Sequence, residues 1–234
     1  MSDFTTWRSL VDGEEIGVIP DSVTNQWLMD EGTGTTLNDN IGNIPASLSG
    51  ASWLEDADAE GGWKTSYDGT DDYWETDDAF GINGSDYTGM VWLEYDDSME
   101  GDSTAYLHAM DGTNDNGWGI GMSGGSPGQP RLVHRDAGSF NMAELSTSIN
   151  DGEWYLLAAA GSGDTGTLYL YDSDGYVEDA SFNESRGQQD VHLRGMARMN
   201  DSFHAPGNVD APAVSTDTEM TKSEIEEYWQ ATLR

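Results

Sequence analysis

Short apolar and aromatic runs, each closed by a cluster of Gly, Asp, Asn or Ser, set the texture of this chain and restrict what it can fold into. Gly89–Tyr95, Thr104–Met110, Gly117–Met122, Arg131–Arg135, Trp154–Ala160 and Thr167–Tyr171 read as strands rich in β-branched and aromatic residues. Asn83-Gly84, Asp111-Gly112, Asn116-Gly117, Asp151-Gly152 and Asp174-Gly175 fall among them. Such dipeptides supply the positive φ angles of tight hairpins. Thr167–Tyr171, Asp172–Gly175 and Tyr176-Val177 read as one complete hairpin. One helix stands out, over residues 221–233. Thr221-Lys222-Ser223-Glu224 has the capping-box spacing, and Ile225, Tyr228, Trp229 and Leu233 recur at helical intervals. That stripe is expected to dock on the β domain; a partner-binding face is the alternative. Many short strands and one late helix predict an all-β, two-sheet antiparallel sandwich.

Charge narrows the setting. Forty-four Asp and Glu oppose nine basic residues, for a formal net charge of −35. Only Lys64 and Lys222 are lysine. In ordinary buffer, with a Debye length of about 8–10 Å, such a surface repels itself; in molar salt screening shortens to about 3 Å. An acidic, lysine-poor surface therefore points to near-saturating brine. The acids are spread in ones and twos, and nine Trp and ten Tyr argue for a packed core, not an acidic tail. Nucleic acid is not an expected partner, because phosphate binding needs clustered Lys and Arg. Anionic membrane surfaces are disfavoured for the same reason, and no apolar run approaches membrane-spanning length. With no cysteine there is no disulfide framework. The opening Met1–Arg8 lacks the basic and apolar regions of a secretory signal.

Several stretches, in order, carry a resemblance. Trp27–Thr36 (Trp-Leu-Met-Asp-Glu-Gly-Thr-Gly-Thr-Thr) leads into Asp39-Asn40-Ile41-Gly42-Asn43, then Ala46–Trp53 and Tyr67–Tyr73. Tyr87–Tyr95, Asn150–Tyr155, Val209-Asp210 and Met220–Ile225 follow. Together these resemble laminin-G-like, concanavalin A-like jelly-roll domains over roughly residues 25–232. The resemblance implies a jelly-roll sandwich with a short final helix, usually extracellular. Residues 1–24 have no counterpart and form an added arm, and Ala211–Val214 is plainer than the family's last strand.

No catalytic residues are expected. Glycosidases on this sandwich align three acids on one strand face; Glu94 and Asp96 come nearest, with Glu100 too far along, and read as surface charge. Gly121–Gly125 matches a nucleophile elbow and Gly119–Gly124 a dinucleotide motif, but neither precedes a helix. His108, His134, His192 and His204 lack paired zinc-ligand spacing. No cofactor is required. Calcium is the metal the resemblance implies, through rim carboxylates and carbonyls; Asp68, Asp71 and Asp72 are its candidate ligands, with Asn114, Asp115 and Asn116 a second such turn. Solvated or turn-capping acids are the bland alternative. Trp63, Trp74 and Trp118 are weighed as sugar platforms and read rather as core. The arm, with Phe4, Trp7, Leu10, Val11 and Ile16, is either an edge strand or an assembly interface with another subunit.

These readings converge on a non-enzymatic structural protein on the surface of a haloarchaeal virus, as a capsid turret, decoration or tail-fibre component. Through the arm it would associate with itself as a homo-oligomer and with other virion proteins, and host surface glycans are a further expected contact. A cellular haloarchaeal binding module for carbohydrate or protein is the alternative, and a glycoside hydrolase the third.

Overall fold

The computed structural model describes residues 10–11, 14–15, 18–57, 59, 61–79, 86–99, 103–113, 115–184, 186–187 and 190–233. In chain order the strands are β1 (Leu10–Val11), β2 (Glu14–Glu15), β3 (Asn25–Gln26), β4 (Thr36–Leu37), β5 (Ala46–Ser49), β6 (Ser52–Glu55), β7 (Trp63–Asp68), β8 (Tyr73–Thr76) and β9 (Tyr87–Tyr95). They continue as β10 (Thr104–Met110), β11 (Gly117–Ser123), β12 (Ser126–Asp136), β13 (Ser139–Glu144), β14 (Trp154–Gly161), β15 (Thr165–Asp172), β16 (Gly175–Asn183), β17 (Arg194–Gly195) and β18 (Pro206–Ser215). Helix α1 spans Lys222–Ala231.

The strands form two antiparallel eight-stranded sheets. The front sheet runs β13-β12-β11-β10-β17-β8-β5-β4. The back sheet runs β16-β15-β14-β9-β18-β7-β6, with β3 also paired to β18. The expected all-β sandwich with one C-terminal helix is the fold observed, and each expected strand is present, most of them a residue or more longer than the apolar run alone. The expected hairpin is β15–β16, with Asp172 paired to Gly175.

Strand side chains alternate between faces, and both sheets send their apolar set inward. Trp27, Trp74, Trp118, Tyr87, Tyr106, Leu132 and Leu157 belong to the layer between them. The rings of Tyr87 and Trp118 stack at 4.8 Å between centroids. The back sheet is apolar on its outer face too. Met90, Trp92, Leu156, Ala158, Ala211 and Ala213 form a second cluster, sealed by Ile225 and Tyr228 of α1 and by Val23. This explains the plain Ala211–Val214 stretch: small side chains admit the helix. The Tyr228 hydroxyl donates to the Ala211 carbonyl at 2.5 Å, where the chain bulges and Ala211 takes φ +42°.

The helix stripe docks as expected through Ile225 and Tyr228, but Leu233 does not take part. The helix ends at Ala231, and Leu233 lies beyond it, exposed. Thr221 and Glu224 form the full reciprocal capping box. Among the described residues no helix is long and apolar enough to cross a membrane.

The Asp39–Asn43 turn owes its form to one carboxylate. Asp39 accepts from the amides of Gln26, Ile41, Gly42 and Ile44 and from the Asn25 side chain. It thereby ties the first strand to the loop that follows. In the arm, β1 and β2 pair only with each other; Phe4, Trp7 and Ile16 lie outside the described residues.

Gly89 tests this packing. A Cβ there would meet the Trp118 ring at 2.1 Å. Gly89→Ala is expected to destabilise the fold by about 1–3 kcal/mol through overpacking, read as a lower denaturant midpoint at unchanged slope.

Candidate functional site

The outer side of the front sheet gathers arginine, glycine and exposed aromatic residues. On β12, Leu132 joins the inter-sheet core and His134 reaches across it to Tyr87, so Arg131, Val133 and Arg135 point outward. On β11, Trp118, Ile120 and Met122 point inward, leaving Gly117, Gly119 and Gly121 on the outer side, where neighbouring groups bury them. The glycines read in sequence as accidental motifs fall here, and no helix follows them. The His108 ring lies across Gly119, where a Cβ would meet it at 2.5 Å. Next along the same face come Arg194 on β17, opposite His108, and Glu75 on β8.

After β17 the chain folds back over this face in a strained turn. Met196, Asp201 and Phe203 take φ of +66°, +58° and +57°. Positive φ is unusual for non-glycine residues and marked for a bulky aromatic. Arg198 bonds backbone to backbone with Ser202, and its guanidinium stacks on Phe203 at 3.7 Å. Arg135 lies over Phe140 at 5.2 Å, and Arg194 over Tyr73 at 4.1 Å. Phe140, Met142 and Phe203 remain exposed.

Four of the chain's seven arginines therefore gather here. Arg194 is neutralised by Glu75 and by Asp201 at 3.5 Å. Among the described residues, Arg131, Arg135 and Arg198 form no ion pair with a carboxylate. Arg131 is 8% exposed, and its Nε, like those of Arg198 and His108 Nδ1, is buried without a hydrogen-bond partner. Burial, then repulsion from Arg135 and Arg131, lowers Arg198 to about 10. Burial, followed by the fields of Arg198, Arg131, Arg135 and Arg194, pushes the His108 imidazole down to about 3. Beyond Arg194 the face continues into an open cleft of about 350 Å³ lined by Ser47, Ser49, Tyr73, Glu75, His192 and Arg194 among others.

The sequence-predicted residues take other places. Asp68, Asp71 and Asp72 do converge at the β7–β8 rim, each offering a carboxylate oxygen within 4.8 Å of the others. Asp72 is buried and accepts the Asp68 amide at 3.0 Å; burial first, then Asp68 and Asp71, raise its proton affinity. Three hard oxygens on one turn fit calcium. A second triad, Asp96, Asp97 and Asp151, joins residues far apart in sequence. Asp115 and Asn116 instead build a turn around Asp111, and Asn114 lies outside the described residues. Trp74 and Trp118 are fully buried core; Trp63 is half-buried against Gly32. Glu94 is held by Lys64 at 2.6 Å and Asn208 at 2.7 Å. Glu100 lies outside the described residues. The arginine face itself was missed in sequence. Its available signal was Arg131 and Arg135 at even spacing on one strand, beside glycines alternating on the next.

The concanavalin A-like lectin/glucanases superfamily matches residues 68–225, more than half of the chain, and the chain belongs to it. No curated protein matches it in sequence. Among solved structures, the botulinum neurotoxin serotype D binding domain is similar at 10% identity and a TM-score of 0.66, covering 90% of this chain and 52% of that one. The same serotype's ligand-binding domain in complex with N-acetylneuraminic acid is similar at 9% identity and a TM-score of 0.64, covering 90% and 51%. A Trypanosoma rangeli sialidase in complex with a difluorosialic acid is similar at 13% identity and a TM-score of 0.70, covering 97% and 36%. The chain spans about half the length of the toxin domains and less of the sialidase, and these likenesses show the fold.

Two expectations follow. Calcium is expected to raise the melting temperature of the wild type and not of Asp71→Asn, with about 2.7 kcal/mol of stabilisation at a hundred times the dissociation constant. His134, buried between Tyr87 and the Glu184 carbonyl, is pushed down to about 4, chiefly by burial. Both its imidazole and that of His108 bind protons more weakly folded than unfolded. Stability should thus fall as pH drops below about 6.5, by about 2 kcal/mol per imidazole between pH 7 and 5. Denaturant titrations in about 3 M salt, where acid repulsion is screened, check this, and His134→Gln should remove about half of the dependence.

Proposed function

We propose that this chain is a non-catalytic recognition module that works in brine on the outside of a haloarchaeal virus particle and engages glycans on the host surface. The observation that carries the recognition reading is the cluster of exposed apolar side chains and arginines on the front-sheet side. The back sheet is covered by the chain's own helix, whereas the front-sheet side presents Phe140, Met142 and Phe203 exposed beside Arg135 and Arg198. Aromatic faces and fixed donors together suit a sugar ring. The −35 charge and the scarcity of lysine support the high-salt setting. The apolar arm, with Phe4, Trp7, Leu10, Val11 and Ile16, supports docking on other copies or particle proteins, and many copies would compensate for weak single-site affinity. The Glu94 contacts to Lys64 and Asn208 support a structural carboxylate over a catalytic acid.

The test is retention on envelopes isolated from halophilic archaea, in about 3 M salt, before and after chemical deglycosylation. Retention lost on deglycosylation and on Phe203→Ala supports the reading. Equal retention on stripped envelopes would transfer the module to a protein partner. Light scattering on the full chain and on a version lacking residues 1–24 addresses the arm: a defined oligomer that becomes a folded monomer supports assembly, whereas identical monomers favour a free-standing cellular module.

A further inference from the structure

Resting on the recognition reading just given, we infer that the front-sheet face selects an acidic glycan, one whose carboxylate or sulfate group is held by Arg131, Arg135 and Arg198. The argument starts from how rare positive charge is here. Nine basic residues are distributed among forty-four acids. Lys64 sits between Asp56 and Glu94, and Arg194 between Glu75 and Asp201. Arg131, Arg135 and Arg198 are brought together on one face and form no ion pair among the described residues, and Glu144, across from Arg131 on β13, is the carboxylate that supports the Arg131 charge. Burial first, and then Arg135, weakens the hold of Arg131 and Arg198 on their protons, and Arg131 acts on Arg198 in the same sense, so the cluster is internally repulsive.

Two of the three also carry a buried, unpartnered Nε, and an unpaired buried donor costs roughly 1–3 kcal/mol. The strained turn that delivers Arg198 and Phe203 adds a further expense, of order 1–3 kcal/mol per outlier residue. An anion reaching these guanidinium groups would relieve that repulsion. Planar guanidinium groups match the two-oxygen edge of a carboxylate or sulfate. The surrounding chemistry fits a sugar rather than a free ion: exposed Phe140 and Phe203 flank the charges and offer apolar ring faces.

The experiment is titration of the full chain, in about 3 M KCl, with three matched tetrasaccharides: one containing glucuronate, one sulfated, one neutral. Heat and amide chemical shifts are read together. The proposal expects at least one acidic tetrasaccharide to bind about ten-fold or more tightly than the neutral one, and the better of the two identifies the group. Shifts should centre on β11 and β12. Arg131→Gln and Arg198→Gln should erase the acidic preference and leave weak neutral binding in place. Arg135→Gln, at a half-buried position, provides a second route if either of those variants fails to fold, and Lys222→Gln, on the helix that covers the back sheet, should bind as wild type. Equal binding of acidic and neutral sugars, or arginine variants that keep the preference, would overturn the proposal while leaving the recognition reading intact. Binding of none of the three would remove both.

Discussion

Closure of two eight-stranded sheets over one apolar layer is the constraint on which everything else in this molecule depends. Tyr87, Trp118 and His134 interlock at its centre, and Gly89 is bare because the Trp118 ring occupies the place of its side chain. Interiors pack as densely as organic crystals, so such a centre fixes the separation and register of both sheets. The back sheet then has a second problem. Its central strands β9, β14 and β18 are apolar on both faces and need a second cover. Helix α1 supplies it, anchored by its capping box and by Tyr228. The front sheet differs: its outer side mixes glycine and arginine with Val133, Phe140 and Met142, and the last two stay exposed.

Much of this was legible in the chain. Alternating apolar runs and Asp-Gly or Asn-Gly turns located the strands, because period and turn chemistry are local. Thr221 and Glu224 announced the helix start, because a cap is a four-residue device. The helix end was harder: Leu233 continues the stripe by spacing, yet the chain leaves the helix at Ala231. The two-residue strands β3, β4 and β17 carry no periodic signal at all and exist because neighbouring strands hold them. Asp68, Asp71 and Asp72 could be grouped because they share one turn. Asp96, Asp97 and Asp151 could not, because two separate loops bring them together. The arginine face is the extreme case. It draws on β10, β12, β17 and a strained turn, and no spacing rule links Arg131 to Arg198.

Net charge obscured that face as well. A total of −35 argues against a polyanion such as nucleic acid, whose recognition needs many cations over a long surface. It does not bear on a single anionic group meeting three fixed guanidinium groups. The global charge is a long-range property, and screening removes it over a few ångströms in brine. Contact interactions in a partly desolvated cluster persist, because no salt ion intervenes at hydrogen-bond distance.

In the brine proposed for this chain, arginine would serve better than lysine. Lysine is a strongly hydrated point charge whose attraction to an anion is mainly electrostatic and therefore readily screened. Arginine is less hydrated, stacks on aromatic rings, and binds through directional paired hydrogen bonds that depend on geometry. Each guanidinium of the face except that of Arg131 is seated on an aromatic ring: Arg135 on Phe140, Arg194 on Tyr73 and Arg198 on Phe203. Arg131 is instead held by burial on the strand between Val133 and the glycines of β11. Fixing the forks before a ligand arrives lowers the ordering cost of binding, and in concentrated salt that preorganisation replaces the long-range attraction the solvent has removed.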